Sequence, residues 1–224
     1  AKAKRPSSRL SEYVVCNPDG DYPEPEHIGQ VENQNLHGLN TPEYLIISHA
    51  NYINSANILA DFHRNYDGMN VEVVEAEKVY NDLHHAHDRR AQVRNFIKMF
   101  YDRGEKLKYV LLFGDGSYDN KNIKQLNKNF IPTFQSLNSL NPVASFVTDD
   151  YFVILDDSES VYNGAVDVVS ERSAASSSYE AELVVDKVLN YYSPEALGNW
   201  RNILCFIGDD EDGSLHMSDS ERLV

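Results

Sequence analysis

Two runs of residues carry the strongest chemical potential in this sequence: Gly114-Asp115-Gly116-Ser117-Tyr118-Asp119 and Gly208-Asp209-Asp210-Glu211-Asp212. Each follows an apolar run of strand type, Tyr109 to Phe113 in the first case and Ile203 to Ile207 in the second. Ligands of open parallel sheets gather beyond the carboxyl ends of strands, which is where both acidic runs would fall. Carboxylates crowded together repel unless a cation lies between them, and their hard oxygens suit Ca²⁺ or Mg²⁺. Asp115, Asp119 and Asp209 are therefore candidate Ca²⁺ ligands. The same aspartates would also serve as caps of turns and helices, so both readings stand. No phosphate-binding glycine motif of either the P-loop or the dinucleotide type is present, and nothing points to an organic cofactor.

His84-His85-Ala86-His87-Asp88 has ligand types suited to a transition metal, but Asp88 is more simply the N-cap of a following helix, with the histidines solvated. His49, directly after a strand, and His216, near the end, are each a possible functional histidine or a hydrogen-bonded structural one. The two cysteines are Cys16 and Cys205. Cys16 lies in an irregular lead-in. Cys205 sits in the middle of Ile203-Leu204-Cys205-Phe206-Ile207, where it is expected to pack as a buried hydrophobe. Neither is placed to act as an activated nucleophile, and no catalytic residue is assigned.

The elements that would position these groups follow from periodicity. Residues 1–41 hold Pro18, Pro23 and Pro25 among polar residues and read as an irregular lead-in. Tyr44 to Ser48 has the apolar run of a strand buried on both faces. Ala56, Leu59, Ala60 and His63 then form one helical face, closed by Gly68. Val71 to Val74 gives a second strand. A second helix starts at Asp88, buries Val93, Phe96, Ile97, Phe100 and Tyr101, and closes at Gly104. Tyr109 to Phe113 is the third strand. Residues 115–163 lose all helical period and predict a long loop with short strands. The sheet pattern resumes at Ala165 to Val169, followed by a helix on Ala181, Val184, Val185, Val188, Leu189 and Tyr192 with Ser177 and Glu180 as its capping box. Trp200 introduces the last strand, Ile203 to Ile207. Strands alternating with helices over short joints demand right-handed crossovers, hence an α/β doubly wound parallel sheet with helices on both faces. The core of that domain is expected over 42–217. Ser218 to Glu221 reads as a second capping box opening a further helix over 218–224, so the sequence looks like the front part of a longer protein.

The chain of 224 residues has 20 Lys+Arg against 35 Asp+Glu, a net charge of −15. Such a field repels phosphate backbones and anionic lipid, which excludes nucleic acid as a partner. No apolar run approaches the length of a membrane span.

Beyond composition, several segments together resemble a known family. Tyr44-Leu45-Ile46-Ile47-Ser48-His49, Val79-Tyr80-Asn81-Asp82-Leu83, Ala91-Gln92-Val93-Arg94-Asn95-Phe96, Tyr109 to Asp119, Thr148-Asp149-Asp150-Tyr151-Phe152 and Val184 to Tyr191 are similar, in order, to the front half of gingipain-type cysteine peptidases. Within that family the likeness is strongest to the signal peptidases of the type IX secretion system. The resemblance implies a caspase-like region of two adjoining α/β subdomains, of which this chain would be the first. It implies that the catalytic His, in a Gly-His-Gly context, and the nucleophilic Cys both lie further along, in the second subdomain. It also implies protein or peptide substrates, partnership with that second subdomain and with other secretion-system components, and a place on the surface of a Bacteroidota-like bacterium. In Arg-specific relatives an acidic residue after the last strand receives the substrate's basic side chain, which makes Asp212 or Asp210 the candidate pocket residue.

One departure stands out. Where the family reads a strand followed by Gly-Arg and then Pro, this chain has Val168-Val169-Ser170-Glu171-Arg172-Ser173-Ala174-Ala175, and only Arg172 fits. Two readings from other classes compete: a Mg²⁺-dependent phosphotransfer or receiver-like domain using Asp115, with Ser48 and Ser117 nearby, and an acidic interaction module for a basic partner.

Overall fold

The computed structural model describes residues 29–83, 88–104, 106–120, 122–126, 128–137, 141 and 144–223, with residues 17, 20 and 27. The chain divides into a unit of residues 1–33 and a unit of 34–224, and every element below belongs to the second. His84, His85, His87 and Cys16 lie outside the described residues.

Four parallel strands, β1 (Tyr44–Ser48), β2 (Val71–Glu75), β3 (Tyr109–Phe113) and β6 (Val169–Ser173), make one sheet in the order β2-β1-β3-β6. The central strands β1 and β3 pair directly, Leu45 opposite Val110 and Ile47 opposite Leu112. Their near-continuous apolar sequences are what burial on both faces requires. Leu45, Ile47, Val110 and Leu112 point to one face, packed under α2 (Ala76–Asp82) and α3 (Arg89–Tyr101) through Val79, Val93, Phe96 and Phe100. Ile46, Leu111 and Phe113 point to the other face, under α1 (Ile53–Tyr66) and α4 (Ser178–Tyr191) through Ala56, Leu59, Ala181 and Val185. The doubly wound α/β fold is thus the observed one.

Local signals fix the ends of the helices. The Asp88 carboxylate accepts the N–H of Arg90 and caps α3. Gly68, just past α1, takes φ +68°, the left-handed backbone that glycine adopts without cost. Ser177 Oγ accepts the N–H of Glu180 at 3.2 Å, while the Glu180 carboxylate turns back to Ser176 rather than to Ser177. Helix α2 was not expected from periodicity; it is a seven-residue element continuous with β2. In the long excursion after β3, β4 (Phe134–Gln135) and β5 (Val147–Thr148) pair antiparallel, the short-strand extension anticipated there.

Three expectations need correction. The strand placed at Ala165 to Val169 is β6 at Val169–Ser173, four residues later. An edge strand half open to solvent has no need of an apolar run, and Val166 is indeed exposed. The strand expected at Ile203 to Ile207 is unpaired, and Ile203, Leu204 and Ile207 are 69%, 82% and 90% exposed. The hand of the fold explains this. The link from β1 to β2 moves in one direction across the sheet over the α1 face, and the links from β2 to β3 and from β3 to β6 move in the opposite direction over the other face. Helix α4 shares the α1 face. A strand following it with the same hand would have to return toward β3, where the place is taken, so the run cannot extend the sheet beyond β6. Cys205 accordingly is exposed, not buried. Finally, Ser218 to Glu221 does not open a helix; it is the last turn of α5 (Glu211–Glu221).

These placements predict contrasting outcomes. Phe96→Ala, in a site with no exposure, is expected to cost about 3–5 kcal/mol in urea unfolding, and Val169→Ala on the open edge within about 0.5 kcal/mol. Cys205 in the folded chain is expected to react with iodoacetamide as fast as it does in urea; protection in the native state would contradict its exposure.

Candidate functional site

The chain leaves β1 toward β2 and returns past it to β3, so the crevice at the carboxyl ends of β1 and β3 is the switch point of the sheet. Ser48 ends β1 fully buried, its hydroxyl donating to the His49 carbonyl at 3.0 Å. The His49 N–H donates to the Phe113 carbonyl, tying the two strand ends together. His49 Nδ1 accepts the N–H of Asn51 at 3.2 Å, which leaves the neutral ring's proton on Nε2. The ring lies between Tyr52 and Phe130, with centroids at 5.3 and 5.0 Å. Burial among these rings pushes the His49 pKa below its ordinary value, against the pull of Glu77 and Glu75. Burial also raises the Tyr52 phenol, and the charges of Glu180 and Asp115 add to the effect. Tyr52 Oη is buried without a hydrogen-bond partner among the described residues.

Beyond β3 the backbone turns at Gly114, whose φ of +152° and surroundings both exclude a side chain: a Cβ there would stand 3.0 Å from Ile131 Cγ1 and 3.1 Å from Phe130 Cβ. Gly114 and Asp115 donate their N–H groups to Ser173 and Ala175, at 2.9 Å each, and the Asp115 carbonyl accepts from Phe130 and Ile131. Over this turn lies Arg172. Its guanidinium forks onto Asp149 with two bonds of 2.7 Å and reaches the carbonyls of Gly114, Ile131 and Pro132 at 2.8, 3.0 and 3.0 Å. The two side chains are only 13% and 23% exposed.

The residues singled out for chemistry are distributed unevenly over this rim. Asp115 is there, half-buried and engaged through its backbone. The Asp119 carboxylate accepts the N–H groups of Ile123 and Lys124 at 2.8 and 2.7 Å, and its own N–H donates to Ser117 Oγ, so it caps a turn. Asp209 and Asp210 are exposed on the approach to α5, and Asp212 falls in the first turn of that helix. Among the described residues no three His, Cys, Asp or Glu side chains converge to hold a metal ion, so Asp115, Asp119 and Asp209 as placed do not fit Ca²⁺. Ser48 and Ser117, needed for a phosphotransfer reading around Asp115, spend their hydroxyls on the backbone. The sequence marks Arg172 but not Asp149 as its partner, because the two stand 23 positions apart with no periodicity linking them. His216 is carried on α5.

A doubly wound parallel sheet with its loops gathered at one rim hosts many chemistries, and the family of this one follows from its likeness to known proteins. Residues 37–224 match the model of peptidase family C25, and the chain belongs to that family. Among solved structures it is similar to dimeric latent PorU from Porphyromonas gingivalis, with 34% identity and a TM-score of 0.69 over 83% of this chain and 19% of that one. A structure described only as a protease is similar at 19% identity over 66% of this chain and 27% of that one, with a TM-score of 0.42. No curated protein matches. The chain thus spans about a fifth of the PorU chain it resembles.

The His49 environment makes a pH prediction. A histidine whose folded pKa lies below its unfolded value of about 6.5 binds its proton more readily once unfolded, so stability falls as pH drops through about 6.5 toward the folded value. The loss of stability between about pH 8 and about pH 5, read from urea midpoints, is expected to be smaller in His49→Gln than in the parent chain. An unchanged loss would show that His49 does not titrate against folding.

Proposed function

We propose that this chain is the first, non-catalytic subdomain of a cell-surface cysteine endopeptidase that removes C-terminal signals from proteins exported by a type IX secretion system. The observation that carries the reading is the match to family C25 over 37–224, together with 34% identity to a PorU chain of which this one spans 19%. Membership in a peptidase family makes proteins and peptides the substrates. In this reading the catalytic His and Cys belong to a second subdomain that follows α5. The exposed run Ile203 to Ile207, which cannot join the sheet of the first subdomain, would supply the opening strand of the second. Asp210 and Asp212, close behind that run, would face the substrate, as the acidic residue does in Arg-specific relatives. Cys205 fits no catalytic role here, because it stands on that unpaired run with no hydrogen-bond partner among the described residues, and a thiolate needs a base beside it.

Two protein forms test this: the 224-residue chain and the complete natural gene product, each assayed on a peptide library and on a secreted substrate bearing its C-terminal signal. The complete protein is expected to cleave with loss of activity under iodoacetamide, and the 224-residue chain to show no turnover. Thiol-dependent cleavage by the chain alone, abolished by Cys205→Ala, would overturn the proposal and make Cys205 the nucleophile.

A further inference from the structure

A second feature of the rim lies on the α3 side. Arg90 and Arg94 stand one turn apart on the first half of α3, and so on one face of that helix. Together with Phe134, Leu137, Tyr151 and Tyr162 they border a cavity of about 460 Å³, a size suited to a small ligand or a residue or two of peptide. Phe134 and Tyr151, both bordering the cavity, stack on one another with centroids 4.9 Å apart. The two guanidiniums are not equally satisfied. Arg90 forks onto Asp88 through Nε and Nη2. Arg94 directs Nε and Nη2 to a single neutral acceptor, the Ile154 carbonyl, at 3.1 and 2.6 Å, and leans over the Tyr151 ring at 5.9 Å. Among the described residues Arg94 pairs with no carboxylate, and Nη1 of neither arginine has a hydrogen-bond partner.

A half-satisfied cation lining a cavity is unusual in a chain of net charge −15, where carboxylates outnumber cations by 35 to 20. Asp157 and Glu159 also border the cavity but are committed elsewhere: Asp157 pairs with Lys98 at 3.2 Å, and the Glu159 carboxylate accepts the N–H of Ala165. A guanidinium with free donors beside an aromatic wall is the arrangement that recognises a planar anion attached to an apolar body.

We propose that this cavity binds a carboxylate carried on, or next to, an aromatic or large apolar residue, the anion on the free Nη1 donors of Arg94 and Arg90 and the apolar side chain against Phe134 and Tyr151. Two sources offer that chemistry, the C-terminal carboxylate of a peptide and an acidic side chain within one. The proposal does not depend on the peptidase reading, because its test is binding without turnover.

The 224-residue chain is titrated by NMR or calorimetry with acetyl-glycyl-phenylalanine, with its C-terminal amide, and with acetyl-glutamyl-phenylalanine amide. The free acid is expected to saturate and to bind about tenfold or more tighter than the plain amide, as a hydrogen bond to a charged group implies. Recovery of affinity in the glutamyl amide would identify the side chain as an accepted source, and its failure would assign the site to chain ends. Arg94→Met is expected to abolish the preference for acid over amide. Because Arg94 also holds the Ile154 carbonyl, Tyr162→Ala and Leu137→Ala, at positions 62% and 93% exposed, provide variants that leave the fold intact and weaken binding severalfold. Equal affinity for acid and amide, absence of saturable binding, or affinity untouched by Tyr162→Ala and Leu137→Ala would overturn the proposal.

Discussion

One guanidinium, that of Arg172, holds the carboxyl rim of the sheet together. It belongs to the edge strand β6, yet its bonds go to the turn after β3, to the Ile131-Pro132 segment and to Asp149 beside β5. Three stretches far apart in sequence therefore meet on one side chain. A mostly buried cation is tolerable only when its charge and all its donors find partners, and here a bidentate carboxylate and three carbonyls provide them. The arrangement also accounts for the composition of β6. A strand reading Val-Ser-Glu-Arg-Ser has little apolar area to bury, so its place is set by backbone pairing to β3 and by Arg172. The Glu171 that replaces the glycine expected from the family is exposed on that open edge and meets no crowding there.

How far the sequence reveals the fold follows from which forces fix each element. The strands β1 and β3 and the helices α1, α3 and α4 are positioned by burial, and burial writes itself as periodicity, so their faces and even the caps at Asp88 and Ser177 were legible. Periodicity places strand β6 four residues early because its neighbour Val168 is buried in the core while Val169 and Glu171, in the strand, are exposed. The run Ile203 to Ile207 has every local mark of a buried strand. What forbids it a place in this sheet is the face on which α4 lies, a property of topology that no window of residues contains. The site was less legible still. Single residues such as Asp115, His49 and Arg172 stood out, but the Arg172 to Asp149 contact and the cavity beside α3 arise from the long excursion after β3, whose path only the folded chain defines.

The architecture separates two tasks. Apolar layers on both faces make a rigid sheet, and everything with chemical character is displaced to the carboxyl rim or to the residues after α4. The exposed apolar run and α5 follow α4 and take no part in the four-stranded sheet. Among the described residues no helix is long and apolar enough to cross a membrane. At the carboxyl rim, Arg172 joins the turn after β3, the Ile131-Pro132 segment and Asp149.

The most direct measurement of that central role is a double-mutant cycle at Arg172 and Asp149. Stability of the parent chain, Arg172→Met, Asp149→Asn and the double variant would be read from urea unfolding. Either single change leaves a desolvated partner behind and is predicted to cost about 3–5 kcal/mol, and the double change less than the sum, with a coupling of about 1–3 kcal/mol. Single losses within about 0.5 kcal/mol, or losses that simply add, would contradict the claim that this pair organises the rim.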